Sequence, residues 1–253
     1  MRWVCSVKRP WLPVVLAVLA TADPVRAEPV FRLHIETDAR STTVAANRLQ
    51  SWLERAGCQV ELNFNEDAGS DLAFRLDSEG ERPVLAAVNR DGRYPVPVWV
   101  TRKTAGVRSI AELAGRDVSL VDSEDALGRD LPLQALSRHG VHPTPGQRYE
   151  AGDFSSALGL LLHNNTHAAA SELGLVRPML ESQGLAITWQ GEPVPGAGWY
   201  RPATANNNPL AKHCTDALLS LRRDHDRQIF RIFPEWVYRF AAPESIAEKE
   251  TRP

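Results

Sequence analysis

The chain has 253 residues, with 29 Lys and Arg against 31 Asp and Glu, which gives a formal net charge of −2 at pH 7. The first 27 residues contain four basic side chains and one acidic side chain, so the remainder is mildly acidic. No cluster of Lys and Arg with interleaved aromatic residues occurs, and the sequence therefore predicts no nucleic-acid partner and no binding to an anionic membrane surface.

Residues 1–27 have the pattern of a secretory signal peptide. A basic start over residues 2–9 precedes a short apolar run over residues 11–22, and small or apolar side chains lead to a cleavage site near Ala27. The apolar run is shorter than the roughly 20 residues that span a bilayer, so an uncleaved anchor is the weaker alternative. We expect a mature protein that is exported to the periplasm.

Two cysteines remain in the predicted mature chain, Cys58 and Cys214. An exported protein enters a compartment in which disulfides persist. Pairing depends on a Cα separation that sequence does not give, so a disulfide and two separate thiols both stay open.

Strand and helix patterns alternate along the first part of the mature chain. The apolar face of residues 44–56 predicts a helix, and Gly57 provides its stop signal. A strand at 96–100 contains Pro97, which predicts a position at a sheet edge or at a crossover. The strands predicted before it are 31–35, 60–64, 72–76 and 84–88.

The same alternation restarts at Ser109. This residue and Glu112 have the spacing of a capping box, Gly115 fits the left-handed end of a helix, and residues 118–121 form an apolar strand. After that strand we predict helices at 127–139, 155–163 and 175–183, and strands at 147–149, 166–171 and 186–189.

Two helices, at 209–223 and 226–240, are predicted to close the fold. The second carries an apolar stripe at helical spacing that we expect to pack on the first lobe. The charged residues after 242 predict a disordered tail. The stripe consists of Phe230, Phe233, Trp236, Val237 and Phe240.

Two α/β units, with a crossover near Val100 and a return near Trp199, predict a two-lobed molecule. The segments that follow resemble one known family: YPV at 94–96, SIAELAGRDVSLVD at 109–122, SRHGVHP at 137–143, AGDFSSALGLLLHNNTHAAAS at 151–171 and GEPVPGAGWYRP at 191–202. On these motifs the chain resembles the type II periplasmic substrate-binding proteins, and most closely the phosphonate-binding-protein-like solute receptors of ABC transporters.

The resemblance implies an α/β clamshell in which each lobe is a mixed, mostly parallel sheet flanked by helices. Lobe 1 is expected to contain residues 28–100 and 199–242, and lobe 2 residues 101–198, with a tail at 243–253. The segment 65–71 leaves no room for the helix that normally separates the second and third strands in this family, so this is a short, divergent member.

In this family, Ser, Thr and Gly at the helix start after the SLVD-like strand bind phosphonate. Here Ser123, Glu124 and Asp125 stand at that position, and two carboxylates repel an anion. Arg40 can hold a carboxylate through two hydrogen bonds, so we expect a zwitterionic or cationic solute rather than free phosphate. The predicted ligand contacts, at strand ends and helix starts, are Thr37, Asp38, Arg40, Tyr94, Ser123, Glu124, Asp125, Ser171 and Glu172.

The sequence favours a periplasmic solute-binding protein that delivers a small polar solute to an inner-membrane permease, acting as a monomer. The alternative is a sensing or accessory module that uses the same closure to contact a membrane sensor protein. An enzyme is disfavoured because no Gly-x-Ser-x-Gly elbow occurs. We predict no catalytic residue, no cofactor and no metal site, since the helix end between His163 and His167 breaks the spacing of a metal-binding pair.

Overall fold

The structure of the protein is a computed structural model that describes residues 29–66, 69–78, 80–121, 125–203, 205 and 207–250, with side chains to residue 246. The predicted signal peptide, Ser123, Glu124 and the last three residues lie outside the described residues. Within those ranges, no helix has both the length and the apolar character needed to cross a membrane.

Strands and helices alternate along the described part of the chain. The strands are β1 Phe31–Ile35, β2 Val60–Phe64, β3 Leu72–Arg75, β4 Leu85–Val88, β5 Pro97–Arg102, β6 Val118–Val121, β7 Arg148–Ala151, β8 Ala168–Glu172, β9 Leu185–Gln190, β10 Gly198–Tyr200 and β11 Arg239–Ala241. The α-helices are α1 Thr43–Arg55, α2 Leu131–Arg138, α3 Phe154–Leu162, α4 Leu173–Val176, α5 Ala211–Ser220 and α6 Pro243–Glu250.

These strands form two mixed sheets, in agreement with the predicted two-lobed α/β fold. The first has the order β11-β4-β10-β3-β1-β2 and the second the order β7-β6-β8-β5-β9. In the first sheet β1 pairs in parallel with β2 and β3, whereas β10 and β11 run antiparallel to their neighbours. We use lobe 1 for the part built on the first sheet and lobe 2 for the part built on the second.

The core of lobe 1 lies on one face of its sheet. Phe31, Leu33 and Ile35 alternate along β1 and are fully buried on this face, where Leu49 and Leu53 of α1 cover them. The apolar face of β1, which repeats every second residue, therefore packs against the apolar face of α1 in a single layer.

Cys58 and Cys214 form a disulfide, which answers the question that the sequence left open. Their Cα atoms are 5.2 Å apart, within the range that a disulfide requires. The bond joins the turn between α1 and β2 to helix α5, so it ties the beginning of lobe 1 to the segment that returns from lobe 2.

From Pro97 we predicted that strand β5 lies at a sheet edge or at a crossover. The crossover position is confirmed, because β5 directly follows the crossover 89–96, and the edge position is wrong. Strand β5 lies between β8 and β9, where Pro97 is accommodated because it is the first residue of the strand. The carbonyl of Pro97 accepts a hydrogen bond from the Gly191 amide at 2.9 Å. Residues 97–100, which we assigned to lobe 1 from sequence, therefore lie in the second sheet.

The helix predicted over 226–240 is wrong. The structure has only a short 3₁₀ helix, Ile229–Ile232, followed by extended chain that leads into β11. Pro234 explains the difference: it has no N–H to donate and it disfavours helical geometry at Phe233, whose φ and ψ are −114° and 156°. The apolar stripe still packs on lobe 1 as predicted, with the rings of Phe74 and Phe233 4.8 Å apart.

The disordered tail predicted from residue 243 is also wrong for its described part. Helix α6 covers the second face of the first sheet, and Ile246 is 1% exposed there. It packs in a cluster with Ala86, Val88 and Ala241. This short helix therefore docks on the sheet, although the composition around Ile246 is charged.

Several predicted helices have different forms in the structure. The helix predicted at 127–139 begins with a π turn, Ala126–Asp130, before α2. The helix predicted at 175–183 is α4 followed by a 3₁₀ turn, Arg177–Met179. At the predicted capping box, Ser109 donates its hydroxyl to the Glu112 carboxylate at 3.2 Å and makes no cap bond to the backbone.

Candidate ligand-binding site

The apolar core of lobe 1 continues into lobe 2. Val121, Leu127 and Phe154 of lobe 2 are buried in the same contiguous cluster as Trp236 of lobe 1, and the half-buried Ala39 packs against it. The two lobes are therefore in direct apolar contact along part of the cleft between them.

The loop after β1 is held by hydrogen bonds of its own. The Thr37 amide donates to Asn65 Oδ1 at 2.9 Å, Asn65 Nδ2 donates to the Thr37 carbonyl at 3.0 Å, and the Thr37 hydroxyl accepts from the Ala39 amide at 3.1 Å. The side chains of Asp38 and Arg40 on this loop are exposed. The polar contacts of Thr37 thus shape the loop that presents the other two predicted residues.

Asp125 lies at the facing rim of lobe 2. Its carboxylate accepts hydrogen bonds from the amides of Leu127 at 2.8 Å and Gly128 at 2.7 Å, so it caps the turn that follows β6. Burial raises the pKa of Asp125 above its ordinary value, the two amides lower it, and the charges of Asp130 and Asp38 raise it further. Asp38 of lobe 1 is therefore near enough to Asp125 of lobe 2 for its charge to affect this carboxylate.

Glu172 is fully buried at the end of β8, and its carboxylate is surrounded by donors. Oε1 accepts from Asn89 Nδ2 at 2.8 Å and from the Val96 amide at 3.2 Å, while Oε2 accepts from the Leu175 amide at 3.1 Å. Burial raises its pKa, and these hydrogen bonds lower it to a smaller extent. The side chain therefore fixes the crossover between the lobes to the start of α4.

Two more of the predicted ligand contacts, Ser171 and Tyr94, lie apart from the rim that contains Asp38 and Asp125. Ser171 is fully buried in β8, and among the described residues its Oγ has no hydrogen-bond partner. Tyr94 is half-buried on the crossover and packs against the cluster that contains Val88 and Ile246. The structure thus brings Asp38 and Asp125 together and places Ser171, Glu172 and Tyr94 at or near the crossover.

A polar contact closes one side of the cleft. Glu235 of lobe 1 accepts a hydrogen bond from the Ser155 amide at 3.1 Å and a second, short one from the Ser155 hydroxyl. Ser155 is in the first turn of α3, where Asp153 caps the helix by accepting from the Ser156 amide at 2.7 Å. A carboxylate at a helix start is electrostatically favourable, so this contact stabilises the packing of lobe 1 against lobe 2.

A cavity of about 180 Å³ lies beside this contact, between the start of α4 and the C-terminal part of lobe 1. Three of its side chains are arginines, two are acids and two are aromatic, so it offers both charges and ring faces. It is lined by Arg90, Gly174, Leu175, Arg223, Asp224, Arg227, Glu235, Trp236 and Tyr238.

Arg223 is the most constrained of the three arginines. It donates to the carbonyls of Val237 at 2.7 Å, Pro234 at 2.9 Å and Phe230 at 3.4 Å. Burial lowers its pKa to about 10, whereas the charge of Glu235 raises it. The guanidinium therefore has a fixed position at the cavity wall.

Our sequence reasoning missed this cavity. Its arginines stand between the predicted strands 84–88 and 96–100 and in the two predicted C-terminal helices, where charged residues ordinarily face water. The available signal was the run RRDHDR at 222–227, in which basic and acidic residues alternate immediately before an aromatic-rich segment.

The sequence matches one known protein family over most of the described chain. Residues 72–245 match the family described as ABC transporter, phosphonate, periplasmic substrate-binding protein. A search of proteins with curated descriptions finds no match.

Two solved proteins have folds similar to this one. The binding protein component of an ABC phosphonate transporter from Pseudomonas aeruginosa is 12% identical, with a TM-score of 0.51 over 88% of this chain and 84% of that chain. XAC2383 from Xanthomonas citri, solved bound to chloride ion, is 16% identical, with a TM-score of 0.52 over 87% of this chain and 95% of that chain. At these identities the likeness shows a common fold.

Proposed function

This chain belongs to the ABC transporter phosphonate periplasmic substrate-binding protein family, and we propose that its solute is a small molecule with both a cationic and an anionic group. Proteins of this family bind a solute for an ABC-type uptake system and work with a membrane permease. The family is a transport component rather than an enzyme family. The function is therefore solute capture for uptake.

The observation that carries the proposal about the solute is the mixed charge of the cleft. The cavity wall has three arginines and two acids, and the rim has the facing pair Asp38 and Asp125. Guanidinium groups favour a carboxylate or another anionic group, and carboxylates favour an amine. A solute with both groups satisfies both sets of side chains, whereas a dianion meets the acidic rim.

The predicted contacts have different tasks in this proposal. Asp38, Arg40 and Asp125 are available at the rim, and Ser123 and Glu124 directly precede Asp125 in the sequence. Thr37 shapes the loop, and Glu172 holds the crossover, so both act by positioning. The ligand stabilises the closed state because it contacts both lobes at once.

A thermal-shift screen followed by titration calorimetry tests the proposal. The panel contains amino acids, betaines, polyamines, phosphonates and divalent metals, because selective binding to the folded state raises the melting temperature. We expect zwitterions to give the largest shifts. Tight binding of a simple phosphonate without any response to amino acids, betaines or polyamines would disprove the proposed solute class.

A matched pair of variants locates the binding. Arg227→Ala removes an exposed arginine at the cavity wall, and Arg231→Ala removes an exposed arginine outside it. We expect Arg227→Ala to weaken binding by about tenfold, the effect of losing one charge-assisted hydrogen bond, and Arg231→Ala to leave it unchanged.

The compartment and the assembly state belong to the same proposal. We propose that a signal peptide is cleaved near Ala27 and that the mature protein acts in the periplasm as a monomer. The basic start, the short apolar run and the disulfide between Cys58 and Cys214 support export. Mass spectrometry of periplasmic protein gives the mature N-terminus, and light scattering gives the assembly state.

One observation favours a sensing or accessory role as the second candidate. Only the short connection 65–71 separates β2 from β3, and a transport receptor needs a permease-docking surface on both lobes. A membrane sensor protein encoded beside this chain would favour sensing, and a permease with its ATPase would favour transport.

A further inference from the structure

The hydrogen-bonded contact between Glu235 and Ser155 joins the two lobes at their surface. The Glu235 carboxylate of lobe 1 accepts from the Ser155 amide of lobe 2 at 3.1 Å and also from the Ser155 hydroxyl, although the two residues are 80 positions apart. Ser155 is exposed and Glu235 is half-buried. Breaking this contact therefore leaves the apolar core of each lobe in place.

Arg223 positions the Glu235 side of this contact. Its guanidinium donates to the carbonyls of Pro234 at 2.9 Å and Val237 at 2.7 Å, which stand on either side of Glu235 in the chain. Trp236, the next residue, is 5% exposed and packs in the apolar cluster that the lobes share. The backbone at Glu235 is therefore constrained, and little conformational entropy is lost when its carboxylate meets lobe 2.

The start of helix α3 positions the Ser155 side. Asp153 caps this helix by accepting from the Ser156 amide at 2.7 Å, so the Ser155 amide is available to the other lobe. Amides in the first turn of a helix have no acceptor within the helix, and the helix dipole favours a carboxylate there. Phe154, directly before Ser155, is buried in the shared cluster. Glu235 thus supplies an acceptor that α3 itself does not provide.

Like charges oppose the packing of the lobes at another point of the cleft. The charge of Asp38 in lobe 1 acts on the Asp125 carboxylate in lobe 2, and two carboxylates repel each other. Two-lobed proteins change shape by hinge motion between their lobes. The packing seen here is therefore a balance of attraction and repulsion, and the Glu235 contact acts on the attractive side.

We propose that Glu235 and Ser155 form an interlobe latch, which keeps the lobes packed in part of the population before any solute binds. The latch consists of atoms of the chain itself, so it shifts the balance between packed and separated lobes whether or not a solute is present. Glu235 also lines the cavity of about 180 Å³ between the lobes. In the latched fraction, a solute therefore reaches this cavity after the latch opens. The inference rests on the hinged lobes of the proposed function and does not depend on the class of solute.

Distance measurements between two spin labels, made on the purified protein without solute, test the latch. Labels at Arg55 of lobe 1 and Arg138 of lobe 2, attached through unnatural amino acids, report whether the lobes are packed or separated. We expect a short-distance and a long-distance component in wild type. Glu235→Ala is expected to lower the ratio of short to long by about tenfold or more, because it removes both hydrogen bonds to a charged acceptor.

Two further variants separate the latch from other effects. Ser155→Ala removes the hydroxyl and keeps the amide, so we expect a smaller decrease than in Glu235→Ala, and no further decrease when the two are combined. Glu150→Ala is the control, because it removes a carboxylate whose ion pair with Arg129, at 2.9 Å, lies within lobe 2. It is expected to leave the ratio unchanged. Urea unfolding confirms that each variant is folded.

Equal ratios in wild type and folded Glu235→Ala, an equal decrease in Glu150→Ala, or a wild type without the short-distance component would overturn the latch. Further separation on adding Ser155→Ala to Glu235→Ala would also overturn it, since Ser155 would then act through another partner. No solute is present in these measurements, so their result does not bear on the proposed solute class. The thermal-shift panel tests that class independently of the latch.

Discussion

Glu172 shows how one buried side chain sets the geometry of the crossover. Its two oxygens accept from Asn89, Val96 and Leu175, which belong to three different segments. Gly174 packs tightly beside it, because a Cβ there would lie 3.0 Å from Asn89 and from the Glu172 carboxylate. The crossover and the start of α4 therefore depend on a carboxylate and a glycine that fit each other.

Glu172→Gln is predicted to destabilise the protein. The amide keeps one acceptor but places a donor opposite a backbone N–H, so the loss is about 1–3 kcal/mol at pH 5. Urea unfolding measures it. Glu181→Gln, which removes only an exposed ion pair with Lys103, is the control and is expected to change stability by less than about 0.5 kcal/mol.

The same variant gives a prediction about pH. Burial raises the pKa of Glu172 above its ordinary value of 4.5, so the folded protein binds this proton more tightly than the unfolded chain. The free energy of unfolding therefore falls as pH rises from that ordinary value through the raised one. Wild type should lose part of its advantage over Glu172→Gln across this window. A stability difference that is constant with pH would contradict the raised pKa.

The sequence predicts the contacts of a single residue only where its local position in a strand or helix determines them. In the structure Asp125 and Glu172 both lie at the starts of helical segments, where the sequence pattern predicted helix starts. The main side-chain partner of Glu172, Asn89, is 83 residues away, and its role follows from the fold alone.

At the scale of elements, close packing around Gly128 joins β6, the turn after it and α3. A Cβ on Gly128 would lie 2.4 Å from Val121 Cγ2 and 3.0 Å from Phe154 Cε1, so only glycine fits. Val121 and Phe154 also belong to the apolar cluster shared by the two lobes. The shape of this turn therefore affects the contact between the lobes.

Gly128→Ala is predicted to destabilise the protein by about 1–3 kcal/mol, because an added methyl group must displace buried side chains. Gly159→Ala, inside α3, meets no atom within 4 Å and is expected to stabilise the protein by about 0.5–1 kcal/mol. Urea unfolding midpoints compare the two. Equal effects of both variants would contradict the packing described for Gly128.

Ile246→Ala is predicted to destabilise the protein by about 2–5 kcal/mol, since it empties the contact between α6 and the first sheet. Val44→Ala, at an exposed position of α1, is the matched surface control and is expected to have little effect. Chemical denaturation measures both. A negligible effect of Ile246→Ala would mean that the C-terminal segment does not dock.

Most strands and several helices could be predicted because their apolar periodicity is local. One error is local, because Pro234 lies inside the predicted C-terminal helix and ends it. The other errors occur where a contact far along the chain decides the structure, as where Ile246 docks a tail whose composition is charged. The interior position of β5 depends on pairing with β8 and β9, which no local pattern records.

At the scale of the whole molecule, the disulfide links residues separated by 156 positions and so constrains a large part of the unfolded chain. Replacing Cys58 and Cys214 with serine is predicted to cost about 2–5 kcal/mol of stability. The test compares urea unfolding with and without dithiothreitol. The reductant should lower the midpoint of wild type and leave the double variant unchanged, whereas an unaffected wild type would contradict the bond.

The alternation of strands and helices predicted two lobes, and the described strands form two sheets. The arginine-lined cavity could not be predicted, because it forms only where the crossover, the start of α4 and residues 223–238 meet. The contact between Glu235 and Ser155 could not be predicted either. It joins the two lobes, and no local sequence pattern determines how the lobes are placed relative to each other.

The central claim is that the two lobes close around a solute. Spin labels at Arg55 in lobe 1 and Arg138 in lobe 2, attached through unnatural amino acids to leave the disulfide intact, report the distance between the lobes. With the solute identified by the screen, we expect a shorter and narrower distance distribution at saturation than in its absence. Identical distributions with and without saturating solute would contradict it.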